Sequence, residues 1–306
     1  MQRLLLWLLF TFTAIGAGAC AGESEADDGK LSITATTGMI ADIARNVAGE
    51  HGTVEALMGP GVDPHLYKAT QGDLARLTTA DVVFYNGLHL EGKMVEVLEK
   101  LAGSRRVIAV ADGVPESQLR SPPEFAGNHD PHLWFDVKIW GLAVRRVADE
   151  LKKADEEHAA DYERNATAYI ARLDSLDAWV REQIATIPAE RRVLVTAHDA
   201  FGYFGRAYDI EVRGLQGIST VSEFGLADVN ALVGLIVERK IKAVFVESSV
   251  PKRSIEAVVE GVRSRGHDVT IGGQLYSDAM GDAGTPEGTY IGMVSANVNT
   301  IVSALR

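Results

Sequence analysis

Two identical tripeptides, Asp63-Pro64-His65 and Asp130-Pro131-His132, set the first chemical expectation for this chain. Proline fixes the backbone angle ahead of each histidine and removes a donor, so each imidazole sits on a stiff piece of loop. The aspartate at the head of each tripeptide can bond loop amides or the imidazole itself, as carboxylates do when they orient metal-bound histidines. His198 follows the apolar run Val193-Leu194-Val195-Thr196-Ala197, at the carboxyl end of a strand, where open α/β sheets place their sites. Asp278 comes shortly after the last expected strand, and so falls on the same rim. Two donors from each half of the chain would make a metal site in a cleft. The plain structural alternatives are a helix start for His198 and an N-cap for Asp278. His51, His89, His129, His158 and His267 fall in turns or on polar helix faces and are expected to be solvated. His129, three residues before His132, is the doubtful one.

Other chemistries lack their residues. Hydrolytic zinc sites use three protein donors and keep a position open for water, and four donors leave little room for it. There is no His-Glu-x-x-His, Gly-x-Ser-x-Gly or Walker-type phosphate loop. A metal-dependent hydrolase at the same cleft is therefore the weaker alternative, and a surface-anchored adhesin is a third reading. A formal charge of −12 and a pI near 5.2 argue against nucleic acid or anionic lipid as partner and favour cations.

The elements that must position these residues follow from periodicity. A chain of 306 residues exceeds the usual size of a single core, so two lobes are expected. Strand-like runs at 31–36, 54–58, 81–85 and 106–110 alternate with helical patterns at 39–48, 73–77 and 93–101, and a further helix at 137–153 packs on them. The same rhythm returns with strands at 192–197, 211–215, 243–247 and 269–271 and helices near 201–207, 226–239, 254–265 and 289–305. Between the two lies a long helix over 156–187, with Tyr162, Ala166, Tyr169, Leu173, Leu176, Val180, Ile184 and Ile187 on one stripe, Asp155 as N-cap and Pro188 as stop. The fold class is α/β: two doubly wound lobes with parallel sheets, 31–154 and 189–306, joined by a backbone helix at 155–188.

Ahead of the lobes, Met1-Gln2-Arg3 and a mostly apolar run to Ala19 read as an export signal over 1–19. The sole cysteine, Cys20, follows Ala17-Gly18-Ala19 and cannot form an internal disulfide. The segment resembles a bacterial lipoprotein signal, in which that cysteine carries the lipid, although Ala17 stands where leucine is usual. Residues 20–30, with Glu23, Glu25, Asp27 and Asp28, suit a flexible acidic tether.

With their flanks, these residues resemble the extracytoplasmic metal-binding proteins of bacterial ABC importers for zinc, manganese or iron(II). The matching stretches are Gly61-Val62-Asp63-Pro64-His65, DVVFYNGLHLEG at 81–92, DPHLWFD at 130–136, Thr196-Ala197-His198-Asp199-Ala200-Phe201, Glu247-Ser248-Ser249 and residues 275–292. The resemblance is particularly close to the treponemal-type receptor, which has histidine at the third ligand position. It departs from many zinc members in lacking a histidine-rich insert, since 66–80 contains no histidine. The resemblance implies His65, His132, His198 and Asp278 as ligands, Zn2+ or Mn2+ as bound cargo and no enzymatic activity. It also implies a membrane permease as partner, location in the periplasm or on the outer face of the cell membrane through a lipid on Cys20, and a monomer.

Overall fold

The computed structural model describes residues 29–125 and 127–306. The expected export signal, Cys20 and most of the tether lie outside the described residues.

The first lobe is a four-stranded parallel sheet of β1 (Leu31–Ala35), β2 (Gly52–Ala56), β3 (Val82–Tyr85) and β4 (Val107–Ala109), in the order β2-β1-β3-β4. The chain leaves β1 toward β2 and returns to the other side at β3, which makes a switch point at the carboxyl ends of β1 and β3. Helices α1 (Gly38–Ala48), α2 (Gln71–Thr79), α3 (Val95–Ala102) and α4 (Val137–Ala154) cover this sheet. α2 starts two residues before the expected 73–77. The Thr70 side chain accepts from the Asp73 amide and the Asp73 side chain accepts from the Thr70 amide, closing a capping box ahead of the apolar turn. Asp136 caps α4 by accepting from the amides of Lys138 and Ile139.

α5 (Ala159–Ala185) is the long helix, and its 27 residues give a rod about 40 Å long. The whole predicted stripe from Tyr162 to Ile187 is buried. The expected cap is not: α5 begins at Ala159 with His158 before it. Asp155 instead follows the last residue of α4, accepts the Tyr162 hydroxyl at 2.6 Å and meets His158 Nδ1 at 2.7 Å. Both of these side chains meet Oδ2, and Oδ1 accepts the His158 amide at 3.4 Å, ahead of the first residue of α5, so no amide within the helix is capped by Asp155.

The second lobe pairs β5 (Val193–His198) with β6 (Glu211–Gln216) and β7 (Ala243–Glu247) with β8 (Thr270–Leu275), all parallel, and β5 lies against β7. Its helices are α6 (Gly202–Tyr208), α7 (Leu226–Arg239), α8 (Arg253–Ser264) and α9 (Tyr290–Leu305). β8 runs past the expected end at 271, through Gly272 and Gly273. A Cβ at Gly272 would lie 2.6 Å from the Ala304 side chain and 2.9 Å from Phe245, so these glycines let the strand pass close beneath α9 instead of ending it.

One apolar cluster runs through both lobes, joining Ile33, Phe84, Trp134, Phe135 and Trp140 to Phe201, Tyr290, Met293 and Leu305. Phe135 and Phe201 rings approach to 4.2 Å and Trp140 and Tyr290 to 5.7 Å. The polar ends of Trp134 and Tyr290 are satisfied across the same seam, whereas Trp140 Nε1 is buried without a partner. Trp134 Nε1 donates to the Ser277 carbonyl at 3.0 Å, and the Tyr290 hydroxyl donates to the Trp134 carbonyl at 2.6 Å. No helix of the described residues is long and apolar enough to cross a membrane.

Candidate metal centre

His65 sits on the loop between β2 and α2, His132 on the segment between β4 and α4, His198 at the last position of β5, and Asp278 just after β8. All four are buried, between 0% and 2% exposed, and their donor atoms lie within 4.8 Å of one another. His132 Nε2 is 3.4 Å from the Nε2 atoms of both His65 and His198 and 3.4 Å from Asp278 Oδ1. Asp278 Oδ2 is 3.4 Å from His198 Nε2 and 3.9 Å from His65 Nε2. Four donors at about 2.0–2.1 Å from a tetrahedral centre are roughly 3.3–3.4 Å apart; the edges from His132 and the His198–Asp278 edge match this, while His65 stands further out, 3.9 Å from Asp278.

The histidine rings are held from behind. His132 Nδ1 lies 2.8 Å from Asp130 Oδ1, which also accepts the His132 amide at 3.0 Å. The other Asp130 oxygen is bonded by the Arg120 guanidinium, which lies over Gly202 where any Cβ would collide with it. His198 Nδ1 lies 2.5 Å from Glu247 Oε2, and Glu247 Oε1 accepts the His198 amide at 2.8 Å. A carboxylate can only accept, so each neutral ring carries its hydrogen on Nδ1 and turns the Nε2 lone pair to the centre. His65 is different: its amide is held by Asp63 Oδ1 at 2.9 Å, but its Nδ1 is buried without a partner. The loop behind His132 is fixed in turn by Asn86, whose Nδ2 donates to the Pro131 carbonyl at 3.0 Å, while Glu91 accepts the Asn86 amide at 2.6 Å.

The electrostatics suit a cation at this centre. Both Asp278 oxygens are buried and make no hydrogen bond of normal geometry, a costly state for a carboxylate unless a cation faces it. Burial pushes its carboxyl up, but the imidazoles of His198 and His132 outweigh this and hold it well below the usual carboxylate range. Burial lowers His132, while Asp130 and Asp278 together bring it up to about 9. Burial also lowers His198, and Glu247 and Asp278 raise it well above the ordinary imidazole value. His65, with no carboxylate on Nδ1, is driven by burial down to about 3.

All four candidates singled out in the sequence are thus brought together, and His129 is not among them. Of the five histidines expected to be solvated, His89 is exposed. The other four are half-buried, with ring nitrogens on protein oxygens: His51 on Asp161, His129 on Ser121, His158 on Asp155 and His267 on the Ile241 carbonyl. His51 and His158 stack at 3.9 Å because the first turn of α5 docks on the end of α1. Glu247 and Arg120 received no role from the sequence. An acid ending an apolar strand, as in Ala243–Glu247, was the available signal for Glu247; nothing local marks Arg120.

Residues 33–304 match the family described as "ZnuA: Zinc-uptake complex component A periplasmic". The chain belongs to the ZnuA family. Among ZnuA-type relatives, the manganese-binding lipoprotein MntA of Bacillus subtilis is 53% identical over 306 residues, covering 100% of this chain and 99% of that protein. A metal ABC transporter substrate-binding lipoprotein, SloC of Streptococcus mutans, is 32% identical over 312 residues, covering 100% of this chain and 99% of SloC. The solved structure of the periplasmic zinc-binding protein TroA from Treponema pallidum superposes with a TM-score of 0.88 at 53% identity, covering 90% of this chain and 99% of that one. The α/β architecture of parallel sheets and a long helix is therefore that of a ZnuA-family two-lobe receptor.

Proposed function

We propose that this chain captures a divalent transition metal, zinc or manganese with iron(II) within its range, through His65, His132, His198 and Asp278, and delivers it to the permease of an ABC importer. One observation carries the reading: the Asp278 carboxylate is buried, makes no hydrogen bond of normal geometry and faces three imidazoles, those of His132 and His198 at the edge length of a coordination tetrahedron and that of His65 at 3.9 Å. The donor set contains no thiolate, so harder metals than zinc can enter, and Asp278 offers both oxygens to an ion that prefers more ligands. Four protein donors leave no open position of the kind hydrolytic zinc uses, which supports a receptor rather than an enzyme. The names of MntA, TroA and SloC, manganese-binding, zinc-binding and ABC transporter substrate-binding, support the same reading. We further assign 31–154 and 189–306 as the metal-binding lobes and 155–188 as the link, with export and a lipid on Cys20 holding the protein outside the membrane.

Elemental analysis of protein purified from its host, with competition titrations against a chelator, tests the metal reading. One equivalent of zinc, manganese or iron is expected in the wild type and loss of it in Asp278→Ala. Protein that takes up no metal, or a variant that binds as well as wild type, overturns it. Mass spectrometry of the mature N-terminus tests the anchor: a chain beginning at Cys20 with a free thiol rules the lipid out.

A further inference from the structure

Asp63 stands two residues before His65 and bonds in two directions. Its Oδ1 accepts the His65 amide at 2.9 Å, and its Oδ2 accepts the Thr220 hydroxyl at 2.6 Å. Thr220 is 157 residues further along the chain, in the loop between β6 and α7 of the second lobe. This hydrogen bond therefore crosses from one lobe to the other beside the donor set.

The bond falls on the donor that has least support. His132 and His198 each have a carboxylate on Nδ1, whereas His65 Nδ1 has no partner. Its ring is consequently oriented through its backbone, and that backbone is held by Asp63. Asp63 is kept in place from the opposite lobe by Thr220. The loop carrying Thr220 is accessible from outside: Thr220 is 8% exposed, but Val221 beside it is 46% and Phe224 36% exposed. Gln216 Nε2 pins the base of the loop by donating to the carbonyls of Thr220 and Ser222, at 2.8 and 2.7 Å. It forms a strap with one fixed end and one side-chain contact across the cleft.

We propose that the Thr220–Asp63 hydrogen bond is a latch across the cleft: Thr220 is a positioning residue that, through Asp63, holds His65 on the metal and slows its release. The proposal rests on the metal reading given above. For the ion to leave, its donors must withdraw, and a histidine anchored only through its backbone is the one that withdraws most easily once that anchor is loose. A hydroxyl on a carboxylate is at the stronger end of neutral-to-charged hydrogen bonds. Capture is governed largely by encounter and release by the contacts that hold the ion, so the effect belongs on the off-rate.

The experiment loads the purified protein with zinc and follows its transfer to excess chelator by stopped flow, for wild type, Thr220→Val and Thr220→Ser. Thermal melts of the metal-free proteins run alongside. Removing the hydroxyl while keeping the shape should speed release by about tenfold or more, serine should restore a rate near wild type, and the valine protein should melt a few degrees below the other two but well above the assay temperature, so that release is read from folded protein. Release from Thr220→Val at the wild-type rate overturns the latch, as does Thr220→Ser releasing as fast as Thr220→Val. Wild-type protein that retains no zinc overturns the metal reading and the latch together. Wild type that holds zinc while the valine variant loses it no faster overturns the latch alone.

Discussion

Glu247 grips His198 at two points, taking the backbone amide on Oε1 at 2.8 Å and meeting Nδ1 with Oε2 at 2.5 Å. Both residues end strands, β5 and β7, that lie against each other, so the grip ties the end of one strand to the end of the other. Glu247→Gln keeps the shape but can accept only through one oxygen, which leaves either the amide or the ring hydrogen unpaired. Zinc affinity should fall by about 10- to 100-fold. Isothermal titration or chelator competition checks this, and unchanged affinity would mean that His198 is oriented by something else.

That grip also changes what is expected of His198→Glu. A carboxylate at position 198 favours manganese relative to zinc by ligand hardness, but here it would face the buried Glu247 carboxyl. The single variant should lose affinity for both metals. His198→Glu combined with Glu247→Gln should recover manganese binding more than zinc binding, which narrows the zinc-to-manganese ratio. Competition titrations of both variants at one pH decide the matter, and an unchanged ratio in the double variant speaks against ligand type as the source of selectivity.

Metal binding should weaken as pH falls, and over a higher range than free imidazoles suggest. Free histidine titrates near 6.5, but His132 is raised to about 9 and His198 is raised well above its ordinary value. In the metal-free protein both rings therefore hold protons at neutral pH, and an incoming ion must displace them. Zinc affinity should drop on the order of tenfold per pH unit for each proton displaced, beginning below about pH 9 and continuing through neutrality. Titrations across that range check it; affinity flat above neutrality would show that the rings are already neutral there.

The same shift has a consequence for stability. A histidine whose pKa is raised on folding stabilises the fold fully below its unfolded value, near 6.5, and that contribution is lost as pH rises through the folded value, about 9 for His132. The metal-free protein should accordingly melt at lower temperature as pH is raised across this window. Zinc-loaded protein, with its imidazoles neutral throughout, should lack that trend. Calorimetry of the two forms separates them.

Lobe movement on metal binding should be small. α5 contains no proline and no glycine, and the apolar cluster continues across the seam through Phe135, Phe201, Trp140 and Tyr290. Opening a wide hinge would expose these rings to water, at roughly 1.5–3 kcal/mol for each large side chain uncovered. Small-angle scattering of apo and loaded protein should give nearly equal radii of gyration, and a large closure would show that the shared core parts.

The alternation of strand and helix, the buried stripe of α5 and the four candidate donors are legible in the amino-acid order, because these depend on periodicity and on residue type within a few positions. Asp-Pro-His at 63–65 and 130–132 is legible for that reason: the proline and the aspartate act on the histidine next to them. Other features arise only when distant segments pack together. Glu247 reaches His198 across 49 positions and Thr220 reaches Asp63 across 157, and such pairs exist only once the strands are side by side and the lobes face each other. His51 and His158, read as solvated from their polar surroundings, stack because α5 docks on α1. β8 continues through two glycines because α9 crosses close above them, and Asp155 bonds the Tyr162 and His158 side chains and the His158 amide ahead of α5 rather than an amide within it. In each case local pattern fixes which face is buried, but a polar group's partner depends on which distant group packing brings within hydrogen-bonding distance.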